Sequence, residues 1–296
     1  MQIFSGSSNP ELANKISQLL NVQLGSIKIS QFSGDEKRVW VKEKKIEKEV
    51  VVVQSLSRPT NDNLIEFCLI CDALRRGGAT EITAVIPWMG YSKQDKVFRE
   101  GEPLSAKVIA QIIQVAHVSK IITFDLHNKA TLGFFDVPVI DLTAKPLFIE
   151  YFKKSISDNT VVVAPDAGAV KSSTAFASEL GVPVVYMDKK RDLVSGEVTV
   201  VGMSRSVEGV DVIIIDDNVF TGSTLIESAN ALKKSGAKSI KVGVTHHLFV
   251  PGVQEKLEES EIDEIIVTDT IVNNEPKKYR KLKILSVDQM VVDELG

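Results

Sequence analysis

The sequence predicts an α/β fold of two similar units, each a mainly parallel sheet flanked by helices. Three observations carry that expectation. Apolar runs such as Val50–Gln54 and Thr160–Ala164 lack polar alternation, which marks strands covered on both faces. Longer helical patterns separate these runs, so strand, helix and strand follow as right-handed crossover units. The chain has 296 residues, about twice a domain of roughly 150 residues.

The elements follow in order. Val50–Gln54 reads as a strand, Asp62–Arg76 as a helix, Glu81–Ile86 as a strand, Leu104–Val115 as a helix and Lys120–Phe124 as a strand. A second series runs through helix Ala144–Lys154, strand Thr160–Ala164, helix Ala167–Leu180 and strand Val182–Met187. Strand Asp211–Ile215, helix Thr224–Ser235 and strands Ser239–Val244 and Glu264–Thr268 complete it. The charge-rich Glu36–Glu49 reads as a solvated hairpin. Pro138 and Pro146 bracket a strand-to-helix switch, which divides the chain into domains 1–143 and 144–296. The final Leu282–Leu295 reads as a strand and helix returning to either half, with the last ~12 residues able to pack on the first domain.

Composition narrows the function. Hydrophobic residues make up 44% and charged residues 25%, ordinary globular values that exclude a disordered or fibrous chain. The net charge of −4 argues against nonspecific nucleic-acid binding. No apolar run reaches the ~20 residues that span a bilayer, so no membrane role is expected. The start Met1-Gln2-Ile3-Phe4-Ser5-Gly6 lacks a basic stretch followed by an apolar core, so no signal peptide is expected and a cytoplasmic location is the default. The two cysteines, Cys68 and Cys71, form a C-x-x-C inside an apolar helical run, which points to packing rather than redox or zinc chemistry.

The strongest chemical signal is Val212-Ile213-Ile214-Ile215-Asp216-Asp217-Asn218-Val219-Phe220-Thr221-Gly222-Ser223-Thr224. A buried strand ends in acids, and a small-residue turn opens a helix. Ligands of open α/β sheets bind beyond strand carboxyl ends. Backbone N–H groups and hydroxyls of Thr221, Gly222, Ser223 and Thr224 suit a phosphate, and Asp216 and Asp217 suit sugar hydroxyls. The bland alternative is a turn in which Asp and Thr serve as caps. Phosphate and diol acceptors side by side point instead to a sugar phosphate.

This segment resembles the phosphoribosyl pyrophosphate (PRPP) signature shared by phosphoribosyltransferases and PRPP synthases. Further segments resemble the synthases alone: Ser55–Leu64, Ile86–Lys96, Glu102–Lys107, Asp125-Leu126-His127, Gly133–Pro138, Ala164–Gly168 and Asp188–Arg191. They run in order from about residue 30 to 250, so the chain is similar to the ribose-phosphate diphosphokinase family. The resemblance implies two phosphoribosyltransferase-type domains, the first binding nucleotide and the second ribose 5-phosphate. It implies transfer of the diphosphoryl group of ATP to ribose 5-phosphate with Mg²⁺, by a homo-oligomer between dimer and hexamer.

Roles follow position by position from the resemblance. Lys189 and Arg191 match the family's catalytic basic pair; alone, Lys189-Lys190-Arg191 would read as a surface run. Phe32, Asp35, Glu36, Lys93, Gln94, Arg99 and His127 match the ATP site. Arg191, Asp216, Asp217, Thr221, Gly222, Ser223 and Thr224 match the ribose 5-phosphate site, and His127 and Asp166 the metal site. Asp125 and Asp136 support the nucleotide region, and His117, His246 and His247 read as structural.

The chain departs from the family at several places. Lys93 stands where Arg is common, and Phe32-Ser33-Gly34-Asp35-Glu36 exchanges the family's Asp-Gly order. Phe220 replaces an Asp and can neither hydrogen-bond ribose nor act as a base. Ala169 and Ser223 replace glycines, and Ile140 replaces an acid. These changes keep a second reading open, a noncatalytic regulatory subunit of an active synthase. A third, a transferase that consumes PRPP, leaves Lys93-Gln94 and the Lys189 segment unexplained.

Overall fold

The computed structural model describes residues 1–191, 198–273 and 278–296, and of these the side chains outside 189–201. The chain divides into two compact units: Met1–Thr143 with Asp269–Val272 and Ser286–Gly296, and Ala144–Thr268 with Asn273–Leu285.

The first unit begins with β1 (Gln2–Ser5), α1 (Pro10–Leu19), β2 (Ile27–Gln31), β3 (Lys37–Val41) and β4 (Glu49–Val53). It continues through α2 (Thr60–Arg76), β5 (Glu81–Val85), α3 (Ser105–Val115), β6 (Lys120–Phe124) and β7 (Val139–Leu142). Its five-stranded sheet has the order β1-β4-β5-β6-β7 and is parallel throughout. Residues 1–31 hold elements the sequence did not suggest, β1, α1 and β2. α1 starts at Asn9, whose side chain accepts the Leu12 N–H, with Pro10 in the first turn.

The hairpin lies earlier than expected. β2 and β3 form an antiparallel pair, so only its second strand falls within Glu36–Glu49. Ile27, Ile29, Val39 and Val41 alternate onto the core, and that periodicity outweighs the charge content that suggested a hairpin further along. Phe4, Phe67, Leu74, Ile82, Ile113 and Ile121 fill the core of this unit. Cys71 is buried and Cys68 half-buried, and burial raises both thiol pKa values, which suits packing and opposes thiolate chemistry.

The second unit comprises α4 (Lys145–Lys153), β8 (Thr160–Ala164), α5 (Val170–Leu180), β9 (Val184–Arg191), β10 (Val198–Met203) and β11 (Asp211–Val219). It ends with α6 (Ser223–Lys234), β12 (Ser239–His247), α7 (Val253–Glu259), β13 (Glu264–Thr268) and β14 (Leu282–Leu285). The seven-stranded sheet has the order β10-β9-β8-β11-β12-β13-β14, parallel except for the β9–β10 pair. Along β11, Val212 and Ile214 join one core cluster and Ile213 and Ile215 another. Both faces are covered, which is why the strand reads as an unbroken apolar run.

Of the boundaries that differ from expectation, three bear on the candidate site. β9 runs to Arg191 rather than Met187, because β10 pairs with its extension. β11 runs to Val219, so Asp216 and Asp217 lie within the strand. α5 starts at Val170 rather than Ala167, because Asp166 Oδ1 accepts the Ala169 N–H at 3.0 Å and holds a turn there.

The final segment splits between units. β14 pairs with β13, whereas α8 (Asp288–Leu295) belongs to the first unit. Asp269 ties this return together: its backbone carbonyl accepts from Asn9 Nδ2 at 2.7 Å, its Oδ2 from Lys15 Nζ at 2.7 Å and its Oδ1 from the Val287 N–H at 2.9 Å.

His247, at the end of β12, is fully buried. The Phe249 N–H donates to Nδ1 at 2.9 Å, so the proton sits on Nε2, which donates to Gln254 Oε1 at 3.0 Å. Burial pushes the imidazole pKa down to about 4, against 6.5 ordinarily. Between those values the unfolded chain binds the extra proton, so stability falls as pH drops from about 6.5 toward 4, by an amount of order 3 kcal/mol. Urea midpoints across this range should therefore move less in His247→Gln than in the wild type. Equal shifts in both proteins would remove His247 as the cause.

Candidate active site

In the second unit, β8 lies between β9 and β11, although β9 follows β8 directly in the chain. The chain thus departs to opposite sides of β8, which creates a topological switch point between β8 and β11. The segments leaving these two strands are the Asp166 turn and the run from Phe220 to Thr224. β9, which carries Asp188 and the backbone of Lys189 and Arg191, flanks β8 on its other edge. The side chains of Lys189 and Arg191 lie outside the described residues.

Asp216 and Asp217 are half-buried, and the Asp217 N–H donates to Asp216 Oδ1 at 2.8 Å. Gly222 adopts φ 72° and is the N-cap of α6, where no side chain caps the helix. An added Cβ there would meet Leu257 Cδ2 at 3.3 Å, so glycine serves both the left-handed turn and the packing beneath it. Thr221 and Ser223 hydroxyls sit 3.2 Å apart, and Thr221, Ser223 and Thr224 are exposed. The first N–H groups of α6 have no intrahelical partner, and the helix dipole adds partial positive charge, a setting for a phosphate. Phe220 is half-buried in the bend between strand and helix.

A cavity of about 490 Å³ adjoins this region. Asp166, Val170, Tyr186, Met187, Asp188 and Ser204 line it, so it joins the Asp166 turn to the base of the β9–β10 hairpin. Asp166 is exposed. A hard carboxylate oxygen open to solvent fits Mg²⁺, which keeps several of its waters. Among the described residues, no cluster of three or more His, Cys, Asp or Glu side chains is arranged as a metal cage.

In the first unit, the segments that leave β5 and β6 lie side by side, because those strands are neighbours. Asn128 Nδ2 donates to Asp95 Oδ2 at 2.5 Å and joins the Lys93-Gln94 segment to the His127 segment. Asp95 lies within the Ile86–Lys96 motif but has no role assigned from sequence, and Asn128, just after Asp125-Leu126-His127, lies outside the motifs. Gln94 anchors its loop to α3: its Oε1 accepts from Ser105 Oγ at 2.7 Å and its carbonyl from the Ala106 N–H at 3.0 Å. Lys93 is half-buried, and Arg99 and His127 are exposed. Asp125 adopts φ 37°, and the next N–H, of Leu126, donates to Asp141 Oδ1 at 3.0 Å. Burial raises the Asp141 pKa, opposed by that hydrogen bond, with the nearby Asp125 raising it further.

Phe32, Asp35 and Glu36 occupy the turn of the β2–β3 hairpin and are exposed. Asp35 has φ 65°, whereas Gly34 does not enter the left-handed region. The Gly-Asp exchange therefore puts a side chain where the backbone favours glycine, a conformation that Asp tolerates better than most residues. The Arg38 guanidinium lies 5.4 Å from the centre of the Phe32 ring. Asp136 is exposed near the start of β7, and its N–H donates to Gln114 Oε1.

Comparison with known proteins bears directly on this arrangement. The family model of the N-terminal domain of ribose phosphate pyrophosphokinase matches residues 1–116, and the phosphoribosyl transferase domain matches residues 143–280. The ribose-phosphate pyrophosphokinase of Fusobacterium nucleatum subsp. nucleatum is 38% identical over 297 residues, covering 100% of this chain and 94% of that protein. The Ralstonia nicotianae ribose-phosphate pyrophosphokinase is 37% identical over 295 residues, covering 99% of this chain and 93% of that protein. The crystal structure of phosphoribosylpyrophosphate synthetase from Mycobacterium smegmatis superposes with a TM-score of 0.91 at 33% identity, covering 99% of this chain and 97% of that one. No helix among the described residues is long and apolar enough to cross a membrane. With both domain models matched in order and full-length relatives above one third identity, the chain belongs to the ribose-phosphate pyrophosphokinase family of enzymes.

Proposed function

We propose that the chain transfers the diphosphoryl group of Mg-ATP to the 1-hydroxyl of ribose 5-phosphate, giving PRPP and AMP for nucleotide biosynthesis in the cytoplasm. The single observation that carries this reading is the switch point of the second unit: acids on β11 run directly into the uncapped N-terminus of α6, beside the Asp166 turn.

Each group has a role that its chemistry supports. Residues 144–296 take ribose 5-phosphate. Thr221, Gly222, Ser223 and Thr224 donate to its 5-phosphate, and Asp216 and Asp217 accept from its ring hydroxyls. Residues 1–143 take ATP, with adenine against Phe32, its edge read by Asp35 and Glu36, and the phosphates met by Lys93, Gln94, Arg99 and His127. Arg191 serves both the sugar phosphate and the transferred group. The 1-hydroxyl oxygen forms a bond to the β-phosphorus, the bond from that phosphorus to the α–β bridging oxygen breaks, and AMP leaves. The hydroxyl proton passes to solvent. Such a transfer depends on in-line positioning and on neutralising charge at the phosphoryl oxygens. Lys189 and Arg191 supply that charge from β9. Asp166 in the second unit and His127 in the first are the residues that would meet Mg²⁺, which would supply further positive charge to the phosphates. A homo-oligomer between dimer and hexamer is the assembly that the family resemblance implies.

The reading is tested by an end-point assay with ribose 5-phosphate, ATP and Mg²⁺ that separates AMP from ADP. AMP and PRPP formed in equal amounts are expected, and would make Phe220 a tolerated replacement. ADP instead would mean single phosphoryl transfer and would overturn the reading. A folded protein that binds ATP but forms neither product would favour the regulatory subunit, which no comparison with relatives supports.

A further inference from the structure

We infer that Lys37 and Glu66 are positioning residues for nucleotide binding, because their ion pair sets the turn that carries Phe32, Asp35 and Glu36. This inference rests on the reading that this turn meets the base of ATP. Glu66 lies on α2 within an apolar stretch and is 0% exposed. Its Oε1 accepts from the Ser7 N–H at 2.6 Å and from Gln54 Nε2 at 3.0 Å. Its Oε2 accepts from Ser7 Oγ at 2.8 Å and from Lys37 Nζ at 2.9 Å. A carboxylate held away from water needs a compensating cation, and Lys37 places one on it.

The contact reaches the turn through few steps. Lys37 opens β3 and pairs with Gln31, the residue before Phe32. Gln31 Nε2 donates to the Asp35 carbonyl at 2.9 Å, and the Phe32 N–H donates to the Glu36 carbonyl at 2.8 Å. The next residue after Lys37 is Arg38, whose guanidinium lies over the Phe32 ring. Along the rest of the hairpin, Ile27, Ile29, Val39 and Val41 face the core. Apolar packing is non-directional and tolerates small rotations of the hairpin. A charge-assisted hydrogen bond to a buried acceptor is directional, and this one lies at the root of the turn. Ser7 and Gln54 hold the same carboxylate from the carboxyl ends of β1 and β4, so the turn is referenced to the parallel sheet.

Lys37→Met keeps the apolar stem and removes the ammonium. It is expected to raise KM for ATP about tenfold, with kcat at saturating ATP and KM for ribose 5-phosphate within about twofold. Lys37→Arg restores the charge and should bring KM for ATP back toward the wild type. Glu66→Gln should raise KM for ATP as Lys37→Met does, and the double variant should show no further rise. If Lys37→Met does not fold, the double variant, which leaves no unpaired charge, carries the same test. An unchanged KM for ATP in a folded variant, or additive rises in the double variant, would overturn the inference. Phe32→Ala separates the two levels. If it raises KM for ATP while Lys37→Met does not, positioning alone fails. If Phe32→Ala leaves KM for ATP unchanged, the nucleotide reading of the turn fails, and the inference with it.

Discussion

Lys189→Ala is expected to lower kcat by about 10²- to 10³-fold while ATP affinity stays within about twofold. Lys189 lies on β9, whose backbone pairs with Val200 of β10 on one side and whose strand neighbours β8 on the other. Asp166 follows β8 directly, so the lysine belongs to the strand next to the proposed metal-binding turn. Charge builds on the transferred phosphoryl oxygens as the bond to the leaving group stretches. A cation that engages them then stabilises the transition state more than the ground state, and its loss appears in kcat. ATP itself is proposed to be held by residues of the first unit, which this substitution does not touch. Steady-state kinetics together with a direct ATP titration would check it. An unchanged kcat in a folded variant would remove Lys189 from the transfer step.

Phe152→Ala should destabilise the second unit by about 3–5 kcal/mol. Phe152 is fully buried and meets Tyr151 and Phe176 edge to face, with ring centres 5.6 Å and 6.3 Å away. Its ring packs against the sheet where Gly243 leaves room: a Cβ added at Gly243 would lie 3.2 Å from Phe152 Cε2 and 2.7 Å from Ile215 Cδ1. Removing the ring leaves a cavity that this sheet and helix cannot close without moving β12. Gly243→Ala approaches the same contact from the other side and should cost about 1–3 kcal/mol by overpacking. Urea unfolding of both variants checks this, and a loss below about 1 kcal/mol for Phe152→Ala would show that the site collapses freely.

What the sequence determined by itself was whatever short stretches encode. The unbroken runs at Val50–Val53 and Thr160–Ala164 identified strands covered on both faces, since side-chain alternation is a local property. The progression from β11 into α6 was readable for the same reason: strand, acids, left-handed Gly222 and helix start lie within a few residues. α1 had a signal of this kind too, in Asn9-Pro10, which was passed over beside the four-residue β1. The exchange of Gly34 and Asp35 was visible as letters, but only the backbone revealed that Asp35 occupies the left-handed position.

Tertiary structure decided what depends on partners distant in sequence. Strand order, and with it the switch point beside β8, follows from which strands pair, and no local pattern carries that. The return of Asp269–Val272 and α8 to the first unit rests on contacts such as Lys15 with Asp269, 254 residues apart. Glu66 reads in sequence as one charge on an apolar helix. Its burial requires Ser7, Gln54 and Lys37, up to 59 residues away, to converge on one carboxylate. Burial of a charge is set by the groups that surround it in space, and the fold alone assembles them.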